Sequence, residues 1–111
     1  PVNLLVVSPS GGYEGVDTLK SIKPGAHILG MNVIDHSIQD VLCHPKINFR
    51  QIGIEALPKT CKDCNLVQTC GGGYLPHRFS QKNEFDNPSV YCDDLKKLIN
   101  HIHIATDKII N

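Results

Sequence analysis

Four cysteines stand in a part of the chain that is rich in glycine and proline. Cys61 and Cys64 are separated by two residues, Cys70 follows after five more, and Cys92 after a further twenty-one. The stretch 58–88 begins and ends with proline and contains a run of three glycines. A loop-rich stretch of this length is uncommon in a small domain unless it is functional or is held by something other than a core. We expect the cysteines to hold it.

Thiolates at these spacings are a typical metal-ligand set. The tight turn between Cys61 and Cys64 lets both sulfurs reach one centre, and four soft sulfur donors select zinc or an iron–sulfur cluster over hard cations. The spacing alone fits a tetrahedral zinc and a cubane cluster equally. The glycine run 71–73 favours the cluster if its backbone N–H groups approach sulfur, but it can also be only a flexible turn.

The composition excludes several classes of protein. The chain has 111 residues, the length of one domain, and its 11 Lys and Arg balance 11 Asp and Glu, without the basic footprint of a nucleic-acid partner. Its apolar runs are far shorter than the ~20 residues that span a bilayer. Five cysteines, three of them within ten residues, favour a cytoplasmic metal site over a secreted disulfide framework. Because the chain opens at Pro1 without a secretory signal, we expect a piece of a longer cytoplasmic protein.

The hydrophobic pattern predicts a β-hairpin at the start of the first half, residues 1–56. An apolar run at 4–7 and a return at 13–16 flank a turn of serine, proline and glycine. Residues 27–34 are a second extended stretch, in which Gly30 weakens the strand or marks a bend.

Short helices are predicted to follow the hairpin. Asp35 or Ser37 can cap a helix that Pro45 ends, and residues 46–56 carry a weak helical pattern. With the elements of the second half, these features predict a small α+β fold.

The second half, residues 57–111, is predicted to be a long cysteine-rich loop followed by an amphipathic helix. Asn87 is a good cap, Pro88 suits the first helical position, and Asp93 and Asp94 suit the positive end of the helix dipole. Apolar residues then recur at helical spacing and are expected to face the core. They are Val90, Tyr91, Leu95, Leu98, Ile99, Ile102, Ala105 and Ile109.

Two runs of residues carry a family resemblance. The first is Cys61-x₂-Cys64-x₅-Cys70-Gly-Gly-Gly-Tyr-Leu-Pro-His-Arg, and the second is Asn-Pro-Ser-Val-Tyr-Cys92 at the start of the last helix. Together they resemble the second half of a SPASM domain, the C-terminal auxiliary-cluster module of radical S-adenosylmethionine enzymes. The hairpin with its Ser-Gly turn and the later pattern Leu29-Gly30-x-x-Val-x-Asp-His-Ser-Ile stand in the order that such domains use. The resemblance implies a single SPASM-like domain over residues 1–111.

The chain departs from the family pattern in an informative way. That pattern has seven cysteines for two [4Fe–4S] clusters, with a central C-x₂-C-x₅-C-x₃-C run. Tyr74 occupies its fourth cysteine position, and the hairpin, near Asp17, has no cysteine. The resemblance therefore implies that the first cluster is lost and one [4Fe–4S] cluster remains. Its ligands are Cys61, Cys64, Cys70 and Cys92, while Cys43 is left as a small hydrophobic residue.

The resemblance also implies a function for the full-length enzyme. In the family, a barrel domain with a C-x₃-C-x₂-C motif binds S-adenosylmethionine, and many members modify, for example by crosslinking, ribosomally made precursor peptides. This chain contains no such motif, so we expect the barrel to lie outside it and the fragment alone to be catalytically inert. The alternatives are a zinc-binding structural or interaction module and a small iron–sulfur electron carrier. Neither a nucleic acid nor a membrane is expected as a partner.

Four other residues are candidates for contact with the cluster or the substrate. His77 and Arg78 follow Tyr74 closely and could lie beside the cluster, where they would raise its potential or contact an acidic peptide. The alternative is a surface pair that caps a loop carbonyl. Asp17 could take a substrate-facing role at the position of the lost cluster, or it could simply lie in a solvated turn.

Overall fold

The computed structural model describes residues 2–110, which form a small α+β fold. The chain divides into two compact units, Pro1–Ala56 and Leu57–Asn111, called here the N-terminal unit and the C-terminal unit. This boundary is the one at which the sequence separates the hairpin and helix half from the cysteine-rich half. Among residues 2–110, no helix combines the length and the apolar character needed to cross a membrane.

A three-stranded antiparallel sheet forms the first part of the N-terminal unit. Its strands, in the spatial order β1-β2-β3, are β1 (Val6–Val7), β2 (Gly12–Glu14) and β3 (Ile28–Asn32). β1 and β2 form the predicted hairpin, with Val7 opposite Tyr13. The extended stretch predicted at 27–34 is confirmed as β3, which pairs with β2.

Gly30 bends β3, as its sequence position indicates. Gly12 pairs with Asn32 and Glu14 pairs with Ile28, so a shorter piece of β2 faces a longer piece of β3. Gly30 lies in that longer piece with φ at +73°, a conformation that glycine adopts without steric cost. The irregular register is typical of a β-bulge.

Two short helices complete the N-terminal unit. α1 (Ile38–Cys43) begins after Ser37, whose hydroxyl accepts from the Asp40 N–H while the Asp40 carboxylate accepts from the Ser37 N–H. This reciprocal pair is a capping box, and it identifies Ser37 rather than Asp35 as the cap. Pro45 ends α1 as predicted, but it also starts α2 (Pro45–Gln51), because proline fits the first helical position. A 3₁₀ turn, Gly53–Ala56, follows.

An apolar cluster stabilises the N-terminal unit. Tyr13 and Leu29 from the sheet pack with Val41 of α1 and Ile47 of α2, and Val41 is completely buried. Burial of a side chain of this size contributes roughly 1.5–3 kcal/mol. The packing of the two helices on the sheet therefore accounts for the stability of this unit.

The C-terminal unit begins with short helical turns where the sequence predicts a loop. They are α3 (Lys59–Lys62), α4 (Val67–Cys70) and a 3₁₀ turn, Leu75–Arg78. Each is about one turn long, too short to give the periodicity by which a helix is recognised in a sequence. α5 (Cys92–Ile110) is the predicted C-terminal helix.

α5 starts four residues later than its predicted cap implies. The Asn87 side chain faces the preceding loop instead of capping the helix: its Oδ1 accepts from Asn83 Nδ2 at 3.3 Å, and its Nδ2 lies 2.9 Å from Arg78 O, 3.1 Å from Ser80 Oγ and 3.0 Å from Glu84 O. Ser89 is at the turn into the helix, where its hydroxyl accepts from the Tyr91 N–H at 3.1 Å. Asn87 thus holds the preceding loop together, and the prediction that it begins the helix is wrong.

The apolar stripe of α5 is mostly exposed, contrary to the prediction that it faces the core. Cys92, Leu95 and Ile99, in its first turns, are half-buried, whereas Ile102 is 48% and Ile109 83% exposed. The reason is the length of the helix: α4 packs against it, but the short segment 57–91 does not cover all 19 of its residues. Periodicity identifies residues that share a face and does not show how much of that face is covered.

Candidate metal centre

One cavity in the C-terminal unit brings the four predicted ligands together. Cys61, Cys64, Cys70 and Cys92 all line a cavity of about 100 Å³. The rest of its wall is mainly apolar and consists of Thr60, Leu66, Val67, Gly72, Pro88, Lys96 and Ile99. Residues separated by thirty-one positions in the sequence thus share one small space.

Short helices and turns position the four thiols. Cys61 is the third residue of α3, and the Cys64 N–H donates to its carbonyl at 3.1 Å, which closes the turn between them. Cys70 is the last residue of α4, and Cys92 is the first residue of α5. Each cysteine therefore lies at or near the end of an element, where a side chain can project into a shared space.

The pKa of Cys61 is influenced by the other three thiols of the cavity. Burial raises the pKa of Cys61, and the neighbouring Cys92, Cys70 and Cys64 raise it further, whereas Arg78 lowers it. Effects of this kind on Cys61 arise from groups that lie close to it. A cationic metal would reverse the balance, since a coordinated thiol is deprotonated.

A backbone N–H group reaches one of the sulfurs. The Leu66 N–H donates to Cys64 Sγ at 3.5 Å. Hydrogen bonds of this kind lower the electron density at sulfur and tune a bound metal.

The glycine run has a different role from the expected N–H donation to sulfur. The Gly71 N–H donates to Val67 O at 2.8 Å and the Gly73 N–H to Cys70 O at 3.0 Å, so neither N–H goes to a sulfur. All three glycines have positive φ, and a Cβ on Gly72 or Gly73 would lie within 2.8 Å of a leucine methyl. The run ends α4 and permits close packing, so it is not merely a flexible turn.

Arg78 is buried beside the cavity. It is 6% exposed, its Nε donates to Asn87 O at 3.2 Å, and its Nη2 donates to Phe85 O at 2.8 Å. Burial lowers the pKa of Arg78, and Cys61 and Asp86 act in the opposite direction. The alternative interpretation, a surface residue that caps a loop carbonyl, is wrong about the exposure of Arg78 and right about the carbonyl contacts.

His77 and Tyr74 form an aromatic group with Tyr91. The His77 ring meets the edge of Tyr74 at 4.9 Å and of Tyr91 at 4.8 Å, measured between ring centroids. Both tyrosines are about half exposed. The group lies next to Cys92 in the sequence, but none of its members lines the cysteine cavity.

Asp17 is not part of this site. It lies in the N-terminal unit, in the first turn of a 3₁₀ helix, and its carboxylate pairs with Lys20 at 3.0 Å on the surface. Its side chain is 79% exposed. These contacts are those of a residue in a solvated turn, which was the alternative interpretation of Asp17 from the sequence.

Lys96 and Ile99 line the cavity and were missed in the sequence. Their signal is their spacing on α5, where they follow Cys92 by four and seven residues and so share its face. Thr60 was missed as well, because a residue next to a ligand in a single-turn helix gives no periodic signal.

The donor set fits a thiophilic metal centre. Four sulfur donors around one mainly apolar cavity suit zinc or an iron–sulfur cluster. In the described part of the chain, no three His, Cys, Asp or Glu side chains form a ready-made site for a single ion.

Comparison with protein-family models, with curated proteins and with solved structures finds no match to this chain.

Proposed function

We propose that the C-terminal unit binds one [4Fe–4S] cluster through Cys61, Cys64, Cys70 and Cys92. The observation that carries the proposal is that all four thiols line one cavity. The other three thiols raise the pKa of Cys61, which is the arrangement that a metal of high positive charge stabilises. Cys43 is exposed in the N-terminal unit and has no part in the site.

The size of the cavity favours a cluster over a single zinc ion. A guest the size of one water molecule needs roughly 10–15 Å³ of such space. The cavity of about 100 Å³ has room for several atoms. Its apolar wall also suits a cluster, because the hydrophobic shell around a metal site limits access of water and influences its potential.

In this proposal the residues around the cavity coordinate the cluster and exclude water from it. The cysteines occupy all the coordination positions, so no position is left for substrate, and Leu66, Val67 and Ile99 exclude water. When bound, the cluster supplies a one-electron redox centre that also ties together a segment with little core of its own. Its role is to pass or accept an electron, or to hold the fold around a substrate channel.

The wider function rests on the resemblance to SPASM domains. On that basis the chain is the auxiliary-cluster domain of a cytoplasmic radical S-adenosylmethionine enzyme that modifies, by crosslinking, a ribosomally made peptide. The half-exposed Tyr74 and Tyr91 are suitable contacts for such a peptide, since aromatic side chains are common at interfaces. Binding of S-adenosylmethionine belongs to the full-length enzyme.

The proposal is tested by anaerobic purification, reconstitution with iron and sulfide, and measurement of iron, sulfide and zinc per chain. We expect about four irons and four sulfides, with broad visible absorption, as for a Cys₄-ligated cubane. Cys43→Ser is the matched control and should retain the cluster, whereas Cys70→Ser should lose it. A chain that binds about one zinc and no iron after reconstitution would contradict the cluster and support the zinc-binding module.

A further inference from the structure

A buried guanidinium lies beside the cysteine cavity and is not used as a ligand. Arg78 is 6% exposed. Arginine is almost never buried to this extent unless an opposite charge compensates the loss of hydration. The acidic groups that act on it are Cys61 and the exposed Asp86.

The orientation of Arg78 is fixed by the segment 85–87. Its Nε donates to Asn87 O and its Nη2 to Phe85 O, so two nitrogens of the planar guanidinium are held by backbone carbonyls. Asn87 is itself held, because its Nδ2 donates to Arg78 O. The charge therefore cannot swing into solvent without breaking several hydrogen bonds.

Gly72 links Arg78 to the cavity. Gly72 is buried and lines the cysteine cavity, and a Cβ on it would lie 3.5 Å from Arg78 Nη1 and 3.6 Å from Arg78 Cδ. The guanidinium thus packs against one wall of the cavity. A Cβ at position 72 would be in ordinary contact with Arg78, and glycine is needed there because φ is +86° and Leu57 Cδ2 would lie 2.7 Å from that Cβ.

A centre bound by four thiolates is anionic, and one-electron reduction makes it more so. A fixed positive charge nearby stabilises the reduced form more than the oxidised form, and the stabilisation is larger where water is excluded. Lys96 also lines the cavity, but it is exposed, so its charge is screened.

We propose that Arg78 is the fixed counter-charge of the four-cysteine centre, that it strengthens metal binding there, and that it raises the reduction potential of a bound cluster. The proposal deepens the proposed function and rests on it. Arg78 is a positioning residue in this account, because it contacts neither substrate nor metal. Asp86 opposes it from the surface.

The first test is Co²⁺ binding to the reduced apoprotein, followed by thiolate-to-cobalt absorption. Arg78→Gln should weaken binding about tenfold, and Arg78→Lys should weaken it less, because lysine keeps the charge but not the planar fork. Lys96→Gln is the matched control: it removes one exposed charge and should have a smaller effect than Arg78→Gln.

The second test is the reduction potential of the reconstituted cluster, measured by redox titration. Arg78→Gln should lower it by about 59 mV, equivalent to a tenfold change in the ratio of reduced to oxidised cluster. Arg78→Lys should leave it near the wild-type value, and Asp86→Asn should raise it slightly. A purely structural role for Arg78 would instead make its Lys and Gln variants equally defective.

The outcomes separate this proposal from the one on which it rests. If the wild type binds neither a cluster nor Co²⁺, both fail. If the wild type binds a cluster and Arg78→Gln retains the wild-type potential, only the counter-charge fails. If Arg78→Gln cannot hold a cluster, Arg78→Lys decides, since a cluster at the wild-type potential supports the proposal and loss of the cluster in both variants overturns it.

Discussion

The two units of this chain differ in what holds them together. Among the described residues, six apolar side chains are buried in the N-terminal unit, whereas the C-terminal unit buries Leu57 and Pro58. The six are Tyr13, Leu19, Ala26, Leu29, Val41 and Ile47. In the C-terminal unit a charged side chain, Arg78, and a polar one, Ser89, are buried instead. A unit with so little apolar burial needs another source of stability.

The C-terminal unit has two such sources. One is a set of hydrogen bonds centred on Asn87 and Arg78, which organises the loop 78–87. The other is the group of four thiols around one cavity, which in the proposed function is held by a metal centre. Hydrophobic packing stabilises the N-terminal unit, and in the proposed function ligation takes that place in the C-terminal unit.

The largest effect is expected from removing a ligand. Cys64→Ser should release the metal centre and unfold the C-terminal unit, because structural zinc, for scale, contributes roughly 10–16 kcal/mol in small domains. Cys43→Ser, on the exposed side of α1, should be mild. Thermal melts and metal content of the two variants measure the difference, and equal stability would contradict the ligand assignment.

The next largest effect is expected in the N-terminal unit, from removal of a buried apolar side chain. Ile47→Ala removes a side chain that is 2% exposed, and it should lower the free energy of unfolding of the N-terminal unit by about 2–5 kcal/mol. Metal content should stay at the wild-type value. Ile34→Ala is the control, since Ile34 is 90% exposed and its loss should change stability by less than about 0.5 kcal/mol. Loss of metal in Ile47→Ala would show that the two sources of stability are not separate.

In the glycine run of the C-terminal unit, the cost of backbone strain can be measured separately from the cost of overpacking. Gly71 and Gly73 both have positive φ, but a Cβ meets nothing within 4 Å at Gly71, whereas at Gly73 it would lie 2.8 Å from Leu95 Cδ1. Gly71→Ala should therefore cost about 1–2 kcal/mol from backbone strain alone. Gly73→Ala should cost roughly 1 kcal/mol more from overpacking. Chemical denaturation of the metal-loaded variants checks the order, and a milder Gly73→Ala would contradict the packing.

The smallest effect concerns the capping box of α1. Ser37→Ala should destabilise the N-terminal unit by about 1 kcal/mol. Hydrogen bonds from Ser37 lower the pKa of Asp40 below its ordinary 3.8, so the charged form is favoured in the folded state. The stabilisation is complete above about pH 4 and is lost as the pH falls through the lowered pKa of the folded state. The bond from the Asp40 N–H to the Ser37 hydroxyl does not titrate, and alanine keeps the backbone N–H that bonds the Asp40 carboxylate. Acid titrations of wild type and Ser37→Ala should therefore keep most of their difference at low pH, and convergence of the two curves would contradict this origin.

Local signals in the sequence predicted part of this structure. The capping box and the hairpin turn are encoded within a few residues, so the sheet and α1 were expected in place. The four cysteines were also evident as a set, because few other arrangements explain three thiols in ten residues of a loop-rich stretch.

The features that the sequence did not predict depend on contacts made only in the folded chain, which a local sequence pattern does not contain. Asn87 has the residue type of a helix cap, but its Oδ1 accepts from Asn83 Nδ2 and its Nδ2 donates to oxygens of the loop 78–84. Arg78 gives no sign in the sequence that it is buried, since its partners are backbone carbonyls rather than a carboxylate. The exposure of Ile109 follows from how little of α5 the unit covers.

The most direct test of the account is hydrogen exchange, followed by mass spectrometry, of the chain with its metal centre and after anaerobic removal of that centre by a chelator. Removal of the metal centre is expected to abolish protection across residues 57–110 and to leave residues 2–56 protected around Val41. Equal protection of both units before and after removal would contradict the claim that ligation by the four cysteines holds the C-terminal unit.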